Sequence, residues 1–464
     1  MIDPTHFVEI RHAQKSFGDL EVLKDISLTV ERGQIVGIIG ASGSGKSTLL
    51  RAINDLDPLT GGEVWLDGVQ VNKAQMDKAT FGYRLHFRTH PSEDLAAKTV
   101  AMTPEGLDRV FFVSGGSEAV ESAVKLARQY ALTQGQGSRT KVISRFPSYQ
   151  GCTFGALDLT GYDPLRAAFA PLMAGMPKVA APATYLDRDT LTEEARGLKY
   201  AEMLRDKILE EGPETVLAFI MEPVGGASTG ALVAPDSYYG RIREICDEFG
   251  VLLIYDEVMT GAGRTGKFLA AEHWGITPDI VALSKGFGAG YAPLGAILAG
   301  ARLVEPVLDA GGFLHGFTYA GNPLACGAGL AVLEEMEDQG LIKNAARMGE
   351  VLMAELRALM ADYAFIGDVR GKGLLTAFEF VSDRATMAPL EPALNAYDRL
   401  VELAYERGLI IYSRRTRGGT SGDHFLLAPP LIITAEQIAE MMTILREALD
   451  AFAAEVGLPT GSAA

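Results

Sequence analysis

A chain of 464 residues with 48% apolar content is long enough for two or three domains' worth of core, and its formal charge of −17 argues against a nucleic-acid or anionic-membrane partner. No uninterrupted apolar run approaches the ~20 residues of a membrane span, and no charged-then-apolar leader opens the sequence, so a cytoplasmic protein is expected. Cys152, Cys246 and Cys326 are scattered, which suits a reducing compartment and offers no metal-ligand spacing.

In chain order, the first strong signal is Gly40–Ser47, which fits G-x-x-x-x-G-K-[ST] without a mismatch. The apolar run "QIVGIIG" before it reads as a strand, and "KSTLLRAINDL" after it as a helix. Gly40, Ser42, Gly43, Ser44 and Gly45 would turn backbone N–H groups toward a phosphate, with Thr48 in the first helical turn; Lys46 would reach the outer phosphates and Ser47 would hold Mg²⁺. "FVEIRHAQKSFGDLEVLKDISLTVERGQIVGIIG" and "GGEVWLDGVQV" resemble the opening of an ABC-transporter ATPase, with Phe17 where an aromatic stacks on adenine. The resemblance runs over about residues 4–72 and stops, so ATP and Mg²⁺ are implied only if this partial segment is competent. "VSGGSEA" and "VLLIYDE" echo later ATPase motifs, but Ser114 and Asp256 lie about 140 residues apart, Val258 follows Asp-Glu, and both echoes read as coincidence.

From about Gln75 the pattern changes. The apolar runs "RVFFVSG", "TVLAFIMEP", "VLLIYDE", "DIVALSKG" and "LGAILAG" alternate with helical stretches such as "SEAVESAVKLARQYAL" and "SYYGRIREICDEFG", the latter closed by Gly250. Continuous apolar strands between helices predict an α/β fold with a mostly parallel sheet covered on both faces, and ligands bind beyond the strand C-termini of such sheets. Ser114–Ser117, Glu222, Asp256 and Lys285 all end strands in that reading. A lysine, an aspartate and a helix N-terminus at one edge suit pyridoxal 5'-phosphate: the lysine as Schiff base and proton shuttle, the aspartate to keep the ring nitrogen protonated, the helix amides for the phosphate. Singly, each residue has a plainer reading: Lys285 as a solvated loop lysine, Asp256 as a helix cap, Ser117 as the cap of its own helix.

Residues from about 75 onward resemble a class III, fold-type I aminotransferase of the ω-transaminase kind. "FFVSGGSEAVESAVKLAR" implies Gly116 and Ser117 at the phosphate, and "YQG" implies Tyr149 stacked on the ring. "IMEPVGGASTG" carries Glu222, while "YDEVMTGAGRTG" carries Asp256, with Val258 on the other ring face. "LSKGFGAGYAPLGA" gives Lys285 as the Schiff-base lysine, and "HGFTYAGNPLACGAGLA" gives Thr318, which in this family reaches the phosphate of a neighbouring subunit. A homodimer acting on an amino donor and a keto acid is therefore implied. "VRGKGLLTAFEF" and "HFLLAPPLIIT" read as strands of a C-terminal small domain, followed by a helix whose Thr434 and Gln437 form a capping box. In the loop "IIYSRRTRGGTSGDH", Arg414 or Arg415 is the candidate for a substrate carboxylate.

Gln150 stands where the family has histidine, a change expected to be tolerated because the ring stacks on Tyr149. "AQMDKATFGYRLHFRTHPSEDLA" looks like the stretch just after the family's own N-terminal segment, so the join falls near residues 72–75. The expected organisation is a partial ATPase-like segment over 1–72, a large cofactor-binding domain over 73–305 including its entry segment, and the rest of the large domain with the small domain over 306–464. The sequence thus reads as a chimera cut inside a compact unit on both sides, whereas natural fusions join whole domains through polar segments. The function expected is transamination, impaired by the replaced N-terminus. The alternatives are an ATP-binding module, an inactive chimera or, within the same fold, an aminomutase or decarboxylase.

Overall fold

The computed structural model describes residues 6–460, apart from 19, 32, 35, 39–44, 54–58, 67–68, 71–78 and 84–85. Gly40, Ser42, Gly43 and Ser44 of the phosphate-loop pattern lie outside the described residues, as do 72–75, where the join is expected. The chain divides into two compact units, one of residues 1–92 with 322–327 and one of residues 93–321 with 328–464.

The first unit is built on a four-stranded sheet of β1 (His6–Phe17), β2 (Leu20–Glu31), β3 (Gly61–Leu66) and β4 (Val69–Gln70), in the order β2-β1-β3-β4 with every pair antiparallel. The helix Lys46–Ile53 forms where the sequence predicts one, and Gly45 before it takes a left-handed φ of +86°. "QIVGIIG" does not become a strand over its described residues Gln34 and Val36–Ile38. A continuous apolar run suits a strand of a parallel sheet covered on both faces, whereas the described sheet here is antiparallel throughout. The core is small: Ile10, Ala13, Leu23, Leu49 and Val64 are buried, with Val8, Leu28, Ile38 and Leu59 packed against them.

The second unit carries the parallel sheet. Its strands are β5 (Arg109–Val113), β6 (Lys141–Phe146), β7 (Lys178–Ala180), β8 (Val216–Met221), β9 (Leu252–Asp256), β10 (Ile280–Leu283) and β11 (Gly295–Ala299), ordered β5-β11-β10-β9-β8-β6-β7. All neighbours are parallel except at β11, which is antiparallel to both β10 and β5. Every residue of β8, β10 and β11 is buried, the mark of a sheet covered on both faces. The two-residue period sends Ile254 into the cluster formed with helix Gly116–Thr133, and Tyr255 to the opposite side beside Tyr238 and Tyr239 of helix Asp236–Phe249. Ala119, Val120, Ala123 and Ala127 are fully buried on the first helix, as their spacing predicts. Gly250 ends the second helix at a left-handed φ of +61°, where a Cβ would be strained.

A second, antiparallel sheet follows: β12 (Ile366–Lys372), β13 (Leu375–Phe380), β14 (Tyr412–Arg417) and β15 (Ser421–Leu427), ordered β12-β13-β15-β14. "VRGKGLLTAFEF" is thus two strands rather than one, and β15 stops at Leu427 because Pro429 and Pro430 cannot extend the ladder. Phe378, Phe380, Phe425 and Leu427 face a core closed by helices Leu341–Asp362, Ala396–Glu406 and Ala435–Val456. Leu375, Ala377 and Leu426 face the other way and pack on Val224 and Ala231.

Candidate active site

The C-terminal ends of the parallel strands gather the polar residues. Asp256 is the last residue of β9 and pairs in register with Ala282 of β10, so Lys285 follows three residues beyond. Met221 of β8 pairs with Tyr255, which sets Glu222 beside Asp256. Lys285 opens a short 3-10 turn with φ of +45°, a left-handed conformation that costs a side-chain-bearing residue of order 1 kcal/mol or more. Its side chain keeps an open surface, and no described residue hydrogen-bonds or ion-pairs its ammonium.

The electrostatics of this group are unbalanced. Asp256 is only 5% exposed, and burial, reinforced by the charge of Glu222, pushes its pKa up to about 8. Surrounding protein lowers the pKa of Lys285, with Asp256 and Glu222 acting in the opposite sense. Oδ1 of Asp256 accepts from the Val258 N–H at 3.1 Å, while no described residue hydrogen-bonds its other oxygen. A buried carboxylate without a full partner set is the arrangement that a cationic ring nitrogen would complete.

Helix Gly116–Thr133 points its N-terminus into the same edge, with Gly115 extended as the cap residue. The first-turn N–H groups have no acceptor within the helix, and they favour an anion. A Cβ on Gly116 would lie 3.0 Å from the Val258 side chain, so the helix tip and the loop after Asp256 are in contact. Ser117 Oγ accepts from the Cys152 N–H at 3.0 Å, and a Cβ on Gly151, whose φ is +143°, would come within 2.6 Å of that oxygen. The "YQG" turn is therefore clamped to the first turn of that helix. Tyr149 is half-buried; burial raises its pKa, and Cys152, Tyr412 and Asp256 are its neighbours. Gln150 is 2% exposed and neither end of its amide has a hydrogen-bond partner among the described residues. The residues present fit pyridoxal phosphate: an unpaired lysine, a carboxylate short of a partner, a glycine-tipped helix and an aromatic face.

The two arginines separate. Arg415 donates to Asp423 Oδ1 at 2.9 Å and to the Pro392 carbonyl at 2.9 Å, and its guanidinium lies 4.5 Å from the Tyr397 ring centroid. Arg414 is half-buried with no hydrogen-bond or ion-pair partner among the described residues; its guanidinium sits 4.9 Å from the Tyr412 ring centroid, and Tyr412 neighbours Tyr149. Thr318 is exposed on a turn and is not brought to Lys285 by any described contact. Sequence reasoning passed over Arg145, 3% exposed near the end of β6, whose guanidinium donates to the Glu222 carbonyl. Its signal was a charge inside the apolar run "VISRF", four residues before Tyr149.

The seven-stranded, mostly parallel sheet with a smaller antiparallel domain is the fold-type I architecture of pyridoxal-phosphate enzymes. The chain belongs to the class III aminotransferases, whose family it matches over residues 67–449. It is 38% identical over 382 residues to the aminotransferase YodT of Bacillus subtilis, covering 82% of this chain and 86% of the relative. It is 34% identical over 391 residues to the putrescine–pyruvate aminotransferase of Pseudomonas aeruginosa, covering 84% and 83%. Among solved structures, an (S)-enantioselective ω-transaminase from Thermomicrobium roseum superposes with a TM-score of 0.77 at 36% identity, covering 82% of this chain and 83% of that one. The ω-transaminase of Pseudomonas jessenii, solved in complex with PMP, gives a TM-score of 0.77 at 34% identity, covering 82% and 84%. The protein is an aminotransferase that works by pyridoxal-phosphate-dependent transamination.

Proposed function

We propose that the chain moves an amino group from an amine or ω-amino acid to a keto acid, with Lys285 and Asp256 as its catalytic residues. The observation that carries this reading is the meeting, at one sheet edge, of an unpaired left-handed lysine and a buried carboxylate short of a partner. When bound, pyridoxal phosphate supplies an electron sink for the substrate carbon that bears the amine. Asp256 would hold the proton on the ring nitrogen, and Glu222 would stand beside it. Lys285, its charged form disfavoured by its surroundings, would move the proton at the substrate carbon. Tyr149 and Val258 would enclose the ring, while Gly116 and Ser117 would take the phosphate. Of the two candidate arginines, Arg414, whose guanidinium has no hydrogen-bond or ion-pair partner among the described residues, is better placed than Arg415 for a substrate carboxylate.

A homodimer completes the proposal, with Thr318 serving the partner's phosphate. The exposure of Leu314 at 83% and Tyr319 at 64% on the same stretch supports it, since large apolar side chains side by side favour a covering surface. Amino donor and keto acid are the small-molecule partners, and the cytoplasm is the proposed compartment; among the described residues no helix is long and apolar enough to cross a membrane. Residues 1–72 are proposed to be a partial ABC-type segment standing in place of the family's own beginning. The family match starting at residue 67 and the ATPase-like motifs before it support this. ATP and Mg²⁺ would matter only if that segment were competent, and it lacks the later metal- and water-positioning groups of phosphoryl transfer.

The test is amino transfer from alanine or a diamine to a keto acid by the purified chain. Arg414→Ala should raise KM for a keto acid by roughly 10-fold or more, the worth of a charge-assisted hydrogen bond, while Arg415→Ala mainly lowers stability. Equal KM values for the parent and Arg414→Ala would remove Arg414 from the site.

A further inference from the structure

Beneath the strand ends lies a buried cation that the reaction as derived above does not use. Arg145 sits on β6, next to β8 in the sheet, and is 3% exposed. One terminal nitrogen, Nη2, donates to the Glu222 carbonyl and stands 3.8 Å from Glu222 Oε2. Nε of Arg145 has no hydrogen-bond partner among the described residues, nor does Glu222 Oε2. Glu222 Oε1 accepts from the Gly226 N–H at 3.1 Å. The main chain of Arg145 is also fixed, because its carbonyl accepts from Ser148 Oγ at 2.6 Å, just before Tyr149.

We propose that Arg145 is a positioning residue of the transamination site: it supplies the counter-charge for Glu222 and ties that carboxylate to the turn that presents Tyr149. Two buried carboxylates side by side cannot both ionise without a nearby cation. If Asp256 is to face a protonated ring nitrogen as an anion, the negative charge of Glu222 must be answered from elsewhere. Lys285 cannot answer it while it is committed to the cofactor, which leaves Arg145. The groups facing Glu222 are Arg145 from β6, Asp256 at the end of β9, Lys285 beyond β10, and the backbone of Gly226 and Tyr149. Burial raises the pKa of Glu222, and Arg145 is the largest influence opposing that rise. On the far side, Tyr238 and Tyr239 of helix Asp236–Phe249 feel the same guanidinium.

This inference rests on the transaminase reading, but its test is made on the full chain freed of cofactor, so its failure would leave that reading standing. With Arg145→Gln, the folded-state pKa of Glu222 rises further above its unfolded value. The folded state then prefers the proton, and stability is lost as pH rises. The thermal midpoint of Arg145→Gln should fall below that of the parent by an amount that grows as pH rises above the ordinary carboxylate range, by about 2 °C for each unit of pKa shift. Arg145→Lys, which keeps the charge, should show little of this slope. In a Glu222→Gln background the Arg145→Gln deficit should become flat with pH. If Arg145→Gln alone does not fold, Glu222→Gln should restore folding by removing the unpaired buried charge. A deficit equal at every pH, a slope that survives Glu222→Gln, or a double variant that fails where Glu222→Gln alone folds would overturn the assignment.

Discussion

At the scale of single residues, Asp256 shows how the site trades stability for chemistry. Burial holds its carboxyl protonated to about pH 8 in the cofactor-free protein, so the folded state binds a proton that the unfolded chain releases near its ordinary value of 3.8. The sign follows: the folding contribution of Asp256 is intact below about pH 4 and is lost as pH rises toward 8. Asp256→Asn removes that loss. Without cofactor, its thermal midpoint should match the parent near pH 4 and exceed it increasingly up to about pH 8. With cofactor, the same variant should retain pyridoxal phosphate yet transaminate on the order of 100-fold more slowly, because asparagine cannot hold the ring-nitrogen proton. Thermal scans of the cofactor-free pair and single-turnover rates of the loaded pair check the two halves separately. The meeting of Asp256 and Lys285 at neighbouring strand ends was legible from sequence because each follows an apolar run. The left-handed φ of Lys285, the pairing of Arg415 rather than Arg414 with Asp423, and the contact of Arg145 with Glu222 were not, because backbone conformation and side-chain partners are not written in an apolar pattern.

At the scale of elements, periodicity read the strands and helices of the second unit closely. "RVFFVSG", "VLLIYDE", "DIVALSKG" and "LGAILAG" all contain strands, and Gly250 ends its helix as its sequence implies. The order of the strands and the reversed direction of β11 were beyond it, since a run of apolar residues has no direction written in it. "QIVGIIG" was misread for a related reason. Its pattern fits a buried parallel strand, and the described sheet around it offers only antiparallel neighbours. The capping box stands in the structure: Thr434 Oγ1 accepts from the Gln437 N–H at 3.3 Å, and Gln437 Oε1 accepts from the Thr434 N–H at 3.1 Å. Thr434→Ala should therefore cost about 1 kcal/mol in a denaturant titration, while leaving the cofactor's absorbance unchanged. The helix it caps brings Phe452 into the core that holds Phe425.

At the scale of the whole molecule, the two compact units are unequal. Unit two holds two sheets and large continuous cores, while among the described residues of the first a smaller cluster gathers around Ile10, Leu23, Leu49 and Val64. If the first unit is a partial ATPase segment, Lys46→Ala should change neither cofactor binding nor amino transfer, and the parent should show no ATP turnover; ATP hydrolysis lost in Lys46→Ala would contradict that. Lys285 is proposed to carry the cofactor in this chain. Borohydride reduction of the purified, pyridoxal-phosphate-loaded protein, followed by peptide mass spectrometry, reads that directly. A pyridoxyl group is expected on the peptide containing Lys285 and on no other lysine, and it should be absent from Lys285→Ala. A pyridoxyl group fixed at another lysine, or an equal amount in Lys285→Ala, would contradict it.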